Sequence, residues 1–121
     1  MDPKLEQVRI FRDPLALRSF LDQNQAFRAA FKTSRLFQVK RVSHGFANLV
    51  YRLTFADLST AILKYYSSNS NGNDAIQLSQ NRYHVEKNAL ALIGHHQRNE
   101  MIRKPRLLHA DDSLCYLVMQ D

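Results

Sequence analysis

The chain has 121 residues, a length that fits one domain at most. Hydrophobic residues make up 45% of it and charged residues 23%, which argues against a disordered or fibrous protein, so we expect a packed core. The net charge of +6 is uneven, because residues 1–41 hold nine basic and four acidic side chains whereas the remainder is nearly balanced.

The compartment is indicated by what the sequence lacks. Cys115 is the single cysteine, which excludes an intrachain disulfide framework and fits a reducing compartment. There is no apolar run of about 18 residues, the length that a membrane-spanning helix needs. The first residues resemble neither a secretory signal nor a transit peptide. We therefore expect a cytoplasmic protein without a membrane partner.

The N-terminal residues 1–35 are predicted to form a basic helical segment. Asp13 followed by Pro14 is typical of an N-cap with proline at the first helical position. Apolar residues recur at helical spacing after Pro14 and again beyond Asn24. We expect either two short helices or one broken helix.

Three strands are predicted next. Period-two alternation of apolar and polar residues runs from Leu36 to Val42 and, after a break at Gly45, from Leu49 to Phe55. A short turn then leads into a segment rich in β-branched and aromatic residues, Thr60 to Tyr66. Three consecutive strands with short connections predict an antiparallel meander.

A helix and a hairpin complete the predicted fold. The helix should begin between Asp74 and Asn81 and end at Gly94, since glycine is common just past a helix C-terminus. Residues 106–110 and 114–119 are predicted to be strands joined by a turn at 111–113, and the second is apolar on both faces, so it should lie inside the sheet. The fold class is therefore α+β with a five-stranded sheet.

A lysine on the third predicted strand requires a partner. Lys64 follows the apolar run Ala61 to Leu63, and a buried ammonium is strongly unfavourable unless a carboxylate or a ligand anion meets it. Glu86 on the following helix could supply that carboxylate. The alternatives are that Lys64 extends to solvent and that Glu86 lies on an exposed helix face.

The turn at Gly45 also has two interpretations. A glycine satisfies the geometry of a hairpin, and it also allows backbone N–H groups to approach a phosphate closely. The order of elements, from this turn through the lysine strand, the glutamate helix and the last two strands, is that of a protein-kinase-type N-terminal lobe.

Five strings resemble one group of small-molecule kinases, namely the aminoglycoside phosphotransferases, choline kinases and methylthioribose kinases. Their G-x-x-N loop and second strand resemble SHGFANLVYRL at 43–53, and their V-x-K strand resembles AILK at 61–64. Their R-x-x-x-E helix is similar to RYHVE at 82–86, and LLHADD at 107–112 and YLVMQD at 116–121 resemble the segments leading into their hinge. The resemblance covers residues 36–121. It departs from the family at His44, where many relatives have glycine, and at Gln120, where glutamate is usual.

The resemblance implies a kinase-like N-terminal lobe with one helix packed on the sheet and a nucleotide site. Lys64 would contact the α and β phosphates of ATP and be oriented by Glu86. Val42 and Ile62 would face adenine, and Met119 would line the back of the pocket. The loop Ser43, His44, Gly45, Phe46, Ala47, Asn48 would cover the phosphates, and the backbone of Gln120 would begin the hinge.

The resemblance also implies that nucleotide binding and catalysis belong to two different lobes. In these families the catalytic aspartate and the magnesium ligands follow the hinge, and the sequence ends at Asp121. We therefore expect the ATP-binding half of a kinase acting on a hydroxyl of a small molecule, such as an aminoglycoside, choline or a sugar-like acceptor. We expect no catalysis by this chain alone, and Mg²⁺ only together with a C-terminal lobe.

Two other functions stay open. One is a non-catalytic nucleotide-binding or interaction module. The other is a nucleic-acid-binding domain, in which basic residues of the N-terminal third would contact phosphates. Those residues are Arg9, Arg12, Arg18, Arg28, Lys32 and Arg35.

Minor candidates have simpler interpretations. His95 and His96 could suggest a metal, but neighbouring helical positions point in different directions, which favours a solvated helix end. Cys115 is predicted to be a small buried residue of the last strand. Asp111 and Asp112 are predicted only to solubilise their turn.

Overall fold

A computed structural model describes residues 9–42, 48–66, 73–96 and 106–121, and it has the predicted α+β class with a five-stranded antiparallel sheet. Residues 9–12 are helical. The further elements are helices α1 (Pro14–Gln23), α2 (Gln25–Ala30) and α3 (Asn73–His96), and strands β1 (Leu36–Arg41), β2 (Asn48–Phe55), β3 (Thr60–Tyr66), β4 (Leu107–Asp111) and β5 (Tyr116–Gln120).

The strand order is β1-β2-β3-β5-β4, and every neighbouring pair is antiparallel. The predicted meander of the first three strands is confirmed. The prediction that the last strand lies inside the sheet is also confirmed, since β5 pairs with β3 on one side and β4 on the other. Residues on both of its faces are buried, which explains its continuous apolar sequence.

The two faces of the sheet are covered by different helices. On β3, Ala61, Leu63 and Tyr65 face a core that contains Leu17 and other buried residues of the N-terminal helices. The alternating residues of β3 face α3, where Tyr66 packs in a second cluster. The alternation along β3 therefore separates two sides of the sheet. We call the side that faces the N-terminal helices the N-terminal side and the side that faces α3 the α3 side. The second cluster consists of Tyr66, Tyr83, Leu90, Leu117 and Met119.

Side-chain caps define the two short N-terminal helices. The carboxylate of Asp13 accepts a hydrogen bond from the Leu15 N–H at 3.1 Å, and Pro14 occupies the first turn of α1, as predicted. Asn24 separates α1 from α2, and its Oδ1 accepts from the Phe27 N–H at 2.9 Å. Of the two predicted alternatives, the segment therefore forms two helices.

Helix α3 differs from its prediction at both ends. It begins at Asn73, before the predicted window, and it continues to His96, so the prediction that Gly94 lies past its end was wrong. A glycine within a helix costs only about 1 kcal/mol relative to alanine, which a long helix tolerates.

In the described part of the chain, no helix combines the length and the hydropathy that crossing a membrane requires.

The turn between β4 and β5 is longer than predicted, because Asp111 closes it through its side chain. The Asp111 carboxylate accepts hydrogen bonds from the Ser113 and Leu114 N–H groups, each at 3.0 Å, and from the Ser113 hydroxyl at 2.7 Å. Cys115 donates its N–H to the Asp111 carbonyl and has a φ of 58°. It therefore lies in the turn and is only partly buried, so its predicted place in a buried strand was wrong.

Candidate functional site

An ion pair joins β3 to α3. Lys64 Nζ lies 2.7 Å from Glu86 Oε1, so the carboxylate partner predicted for the strand lysine is confirmed. The side chains are 30% and 32% exposed, respectively. A lysine ammonium has three N–H donors, and Glu86 uses one of them. The pair is therefore accessible to an anionic ligand.

Tyr66 binds the other oxygen of the same carboxylate. Its hydroxyl donates a hydrogen bond to Glu86 Oε2, and its ring is buried in the second cluster, on the α3 side of the sheet. Lys64 and Tyr66 are two positions apart on β3, which explains why both reach the same helix. Tyr66 was not predicted as a site residue, although its period-two spacing from Lys64 indicates that the two share a face of the sheet.

Apolar residues surround Lys64 on the sheet. Its neighbours across the ladder are Val50 on β2 and Leu117 on β5. Two positions before Lys64, Ile62 pairs in register with Met119. Ile62 is partly buried and Met119 is 8% exposed. The structure thus brings together, on the α3 side, Lys64, the residue Ile62 predicted to face adenine and the residue Met119 predicted to line the back of the pocket.

The predicted phosphate loop begins and ends near Lys64. Val42 donates its N–H to the Val50 carbonyl at 2.9 Å, so Val42 lies beside the strand residue opposite Lys64. Val42 is 41% exposed. Asn48 starts β2 opposite Tyr66. The intervening residues, Ser43, His44, Gly45, Phe46 and Ala47, lie outside the described part of the chain, so their predicted role stays a prediction.

The end of β5 is fixed by polar contacts. The Gln120 N–H donates to the Arg106 carbonyl at 2.7 Å. The carboxylate of Asp121 accepts from Arg52 Nε at 3.0 Å and from the Thr60 hydroxyl at 2.8 Å. The backbone of the predicted hinge therefore starts from a defined position beside β2 and β3.

Asp112 connects the β4–β5 turn to α3. Its Oδ1 accepts a hydrogen bond from the Tyr83 hydroxyl at 2.6 Å, and Lys87 Nζ lies 2.8 and 3.1 Å from its two oxygens. Hydrogen bonds from Lys87 and then from Tyr83 lower the pKa of the Asp112 carboxyl, whereas burial, aided by Asp112, raises the pKa of Tyr83. The prediction that Asp111 and Asp112 only solubilise the turn was therefore wrong.

Two of the cavities beside the described elements are lined by residues of the candidate functions. One, of about 450 Å³, lies beside the ion pair and is lined by Tyr66, Arg82, Val85 and Glu86. The other, of about 770 Å³, lies by the N-terminal helices. Three of the six basic residues considered for nucleic-acid binding line it together, namely Arg28, Lys32 and Arg35.

The described side chains do not form a metal-binding set. No group of three histidine, cysteine, aspartate or glutamate side chains that could hold a metal ion occurs among them. The side chains of His95 and His96 lie outside the described ones, so nothing is added to their interpretation.

Comparisons with known proteins give no family for this chain. No protein-family model matches the sequence, and no curated protein matches it significantly.

Proposed function

We propose that this chain is the ATP-binding half of a small-molecule kinase, which transfers the γ-phosphate of ATP to a hydroxyl group, and that its α3 side is the nucleotide site. The observation that carries the proposal is the ion pair of Lys64 and Glu86, which is about one-third exposed and has the apolar residues Val50 and Leu117 on either side of Lys64 in the sheet. Such a pair holds an ammonium ready for phosphate oxygens, and the nearby apolar residues suit a purine ring.

The spacing along β3 supports this assignment. Two residues of a strand span roughly 7 Å, so Lys64 is displaced by that distance from the Ile62–Met119 pair. Adenine would lie against Ile62, Met119 and Val42, and the phosphates would extend towards Lys64. Because the Gln120 N–H is already bonded to Arg106, its carbonyl oxygen is the backbone group that would receive the adenine amino group.

The position of the glycine loop agrees with the same direction. The loop follows Val42, just past the end of β1, and leads into β2 at Asn48. Val42 lies beside Val50, which is opposite Lys64, and Asn48 lies opposite Tyr66, so both ends of the loop are near Lys64. Backbone N–H groups of the loop from Ser43 to Asn48 would cover the phosphates.

The chemistry of transfer needs further groups. Phosphoryl transfer requires a residue that positions the acceptor hydroxyl and ligands that hold magnesium. In the resembling families these groups follow the hinge, so we expect this 121-residue chain to bind ATP without transferring phosphate. A non-catalytic nucleotide-binding module would give the same result, and the two differ only in whether a longer chain phosphorylates a small alcohol.

The test is calorimetric titration of the chain with ATP. We expect Lys64→Met to weaken binding by about tenfold or more, since a charge-assisted hydrogen bond to phosphate is worth roughly 1.5–3 kcal/mol. A single ion pair that is open to solvent contributes only about 0–1 kcal/mol to stability, so the variant should stay folded, as circular dichroism would establish.

Lys32→Met is the matched control. It removes a lysine charge by the 770 Å³ cavity of the N-terminal helices and should leave ATP affinity unchanged. Absence of ATP binding by the unmodified chain, or equal affinities of Lys64→Met and Lys32→Met, would refute the proposed function.

A further inference from the structure

Asp112 is the centre of a contact that holds α3 against the β4–β5 turn. We use the term Asp112 clamp for Asp112 together with its two partners on α3, Tyr83 and Lys87. Tyr83 is fully buried, and Lys87 binds both carboxylate oxygens. Asp112 contacts two side chains of α3 at once, so it constrains the helix more than a single surface ion pair would.

The two helical partners of Asp112 flank Glu86. Tyr83 precedes Glu86 by three positions and Lys87 follows it by one, so the clamp fixes the turn of α3 that carries the glutamate. The Tyr83 ring also meets the Tyr66 ring edge-on, with centroids 5.8 Å apart. Since Tyr66 donates to Glu86, a continuous set of contacts runs from Asp112 to the ion pair.

The turn that carries Asp112 is itself well held. The Asp111 carboxylate accepts three hydrogen bonds from Ser113 and Leu114, and the Cys115 N–H returns to the Asp111 carbonyl at 2.8 Å. These hydrogen bonds fix the backbone of the turn and therefore the position of Asp112.

We propose that Asp112 is a positioning residue for the nucleotide site: it holds α3 at the rotation and height at which Glu86 meets Lys64. The inference rests on the proposed function for its effect on ATP. The meeting of Lys64 and Glu86 can be followed without any nucleotide. Loss of the clamp would let α3 turn away, so that Lys64 would lose its orientation while the sheet itself stayed intact.

The first measurement is nitrogen NMR of lysine-labelled protein, with the Lys64 ammonium signal assigned from the Lys64→Met variant. Glu86→Gln gives the signal of an unpaired Lys64. We expect Asp112→Ala to move the signal towards that position. The matched control is Asp57→Ala, which removes an aspartate that closes the β2–β3 turn through Ser59 and should leave the signal in place.

The second measurement is a double-mutant cycle on ATP affinity. We expect Asp112→Ala to weaken binding about fivefold in the unmodified chain and to have no further effect in the Glu86→Gln background. A residue that only stabilised the fold would weaken both backgrounds equally, and that result would contradict the proposal.

Two milder variants cover the case in which Asp112→Ala does not fold. Tyr83→Phe and Lys87→Met each remove one side of the clamp, and each should shift the Lys64 signal in the same direction. If the unmodified chain fails to bind ATP, the proposed function fails and the NMR series alone decides the clamp. If Lys64→Met abolishes ATP binding while the clamp variants leave signal and affinity unchanged, the clamp fails alone.

Discussion

His109 on β4 is partly buried and contacts three aromatic rings. Its ring meets Phe27 and Phe31 edge-on, and its Nε2 lies 3.2 Å from the Tyr116 hydroxyl. Burial lowers the pKa of His109, and the nearby Asp111 opposes this effect only in part. The folded protein therefore favours the neutral imidazole.

This burial predicts that acid weakens the fold through His109. Because its pKa is lower in the folded than in the unfolded chain, stability falls as the pH drops through the unfolded value near 6.5, until the folded value is passed. Urea unfolding at several pH values between about 7.5 and 5 measures this loss. His109→Phe should reduce the slope over that range.

His84→Gln is the control, since it changes an exposed histidine of α3 and should keep the slope of the unmodified protein. An unchanged slope in His109→Phe would show that other groups cause the pH dependence.

At the scale of residues, the sequence predicted the ion pair but not the contacts around it. A buried lysine among apolar strand residues needs an anionic partner in any tertiary structure, so the need of Lys64 for a carboxylate could be predicted from its sequence neighbours alone. The roles of Tyr66 and Asp112 depend on which turn of α3 lies above β3 and on how the β4–β5 turn closes. Those are tertiary distances that a pattern of residue types does not contain.

Among the elements, α2 depends strongly on its cap. It has six residues, which are too few for a helix that is stable by itself. Its buried residue Phe27 packs in the core on the N-terminal side of the sheet. The Asn24 side chain satisfies the Phe27 N–H. The same residue ends α1 through its own backbone N–H.

We therefore expect Asn24→Ala to lower the free energy of unfolding by about 1 kcal/mol, whereas Asn24→Gly should cost only a few tenths. Urea titration of both variants beside the unmodified chain gives the comparison. Gln25→Ala, an exposed neighbouring position, should be close to neutral. Equal losses for the alanine and glycine variants would mean that the side-chain cap is not the cause.

Element types were predictable where the hydrophobic period was clear, and ends were not. The alternation in β2 and β3 indicated their type, because one buried face imposes it. In β1 a register shift between Leu36 and Gln38 interrupts the alternation, so Phe37 is exposed although it was predicted to belong to the apolar row. The β4–β5 turn extends over residues 112–115. The hydrogen bonds that Asp111 accepts from backbone N–H groups there outweigh the preference of Leu114 and Cys115 for a strand.

For the molecule as a whole, three of the basic residues considered for nucleic-acid binding and the proposed nucleotide site lie on different sides of the sheet. Arg28, Lys32 and Arg35 line the cavity by the N-terminal helices, whereas Lys64 faces α3. The two functions considered for the chain therefore use different residues and can be tested separately.

Under the proposed function, random-sequence DNA should bind no more than weakly at physiological salt, and Arg28→Ala with Arg35→Ala should leave ATP affinity unchanged. Fluorescence anisotropy at several salt concentrations measures the DNA affinity. Arg12→Ala with Arg18→Ala removes the same charge away from the cavity. Tight, salt-sensitive DNA binding that only the Arg28 and Arg35 pair abolishes would favour the nucleic-acid alternative.

The place of β5 between β3 and β4 has a consequence for synthesis on the ribosome. In chain order β5 follows both of these strands, yet it fills the gap between them. Until β5 has emerged, β3 exposes an unpaired edge to other nascent chains, which is a site for aggregation. A chaperone that shields this edge would be most useful between the synthesis of β3 and that of β5.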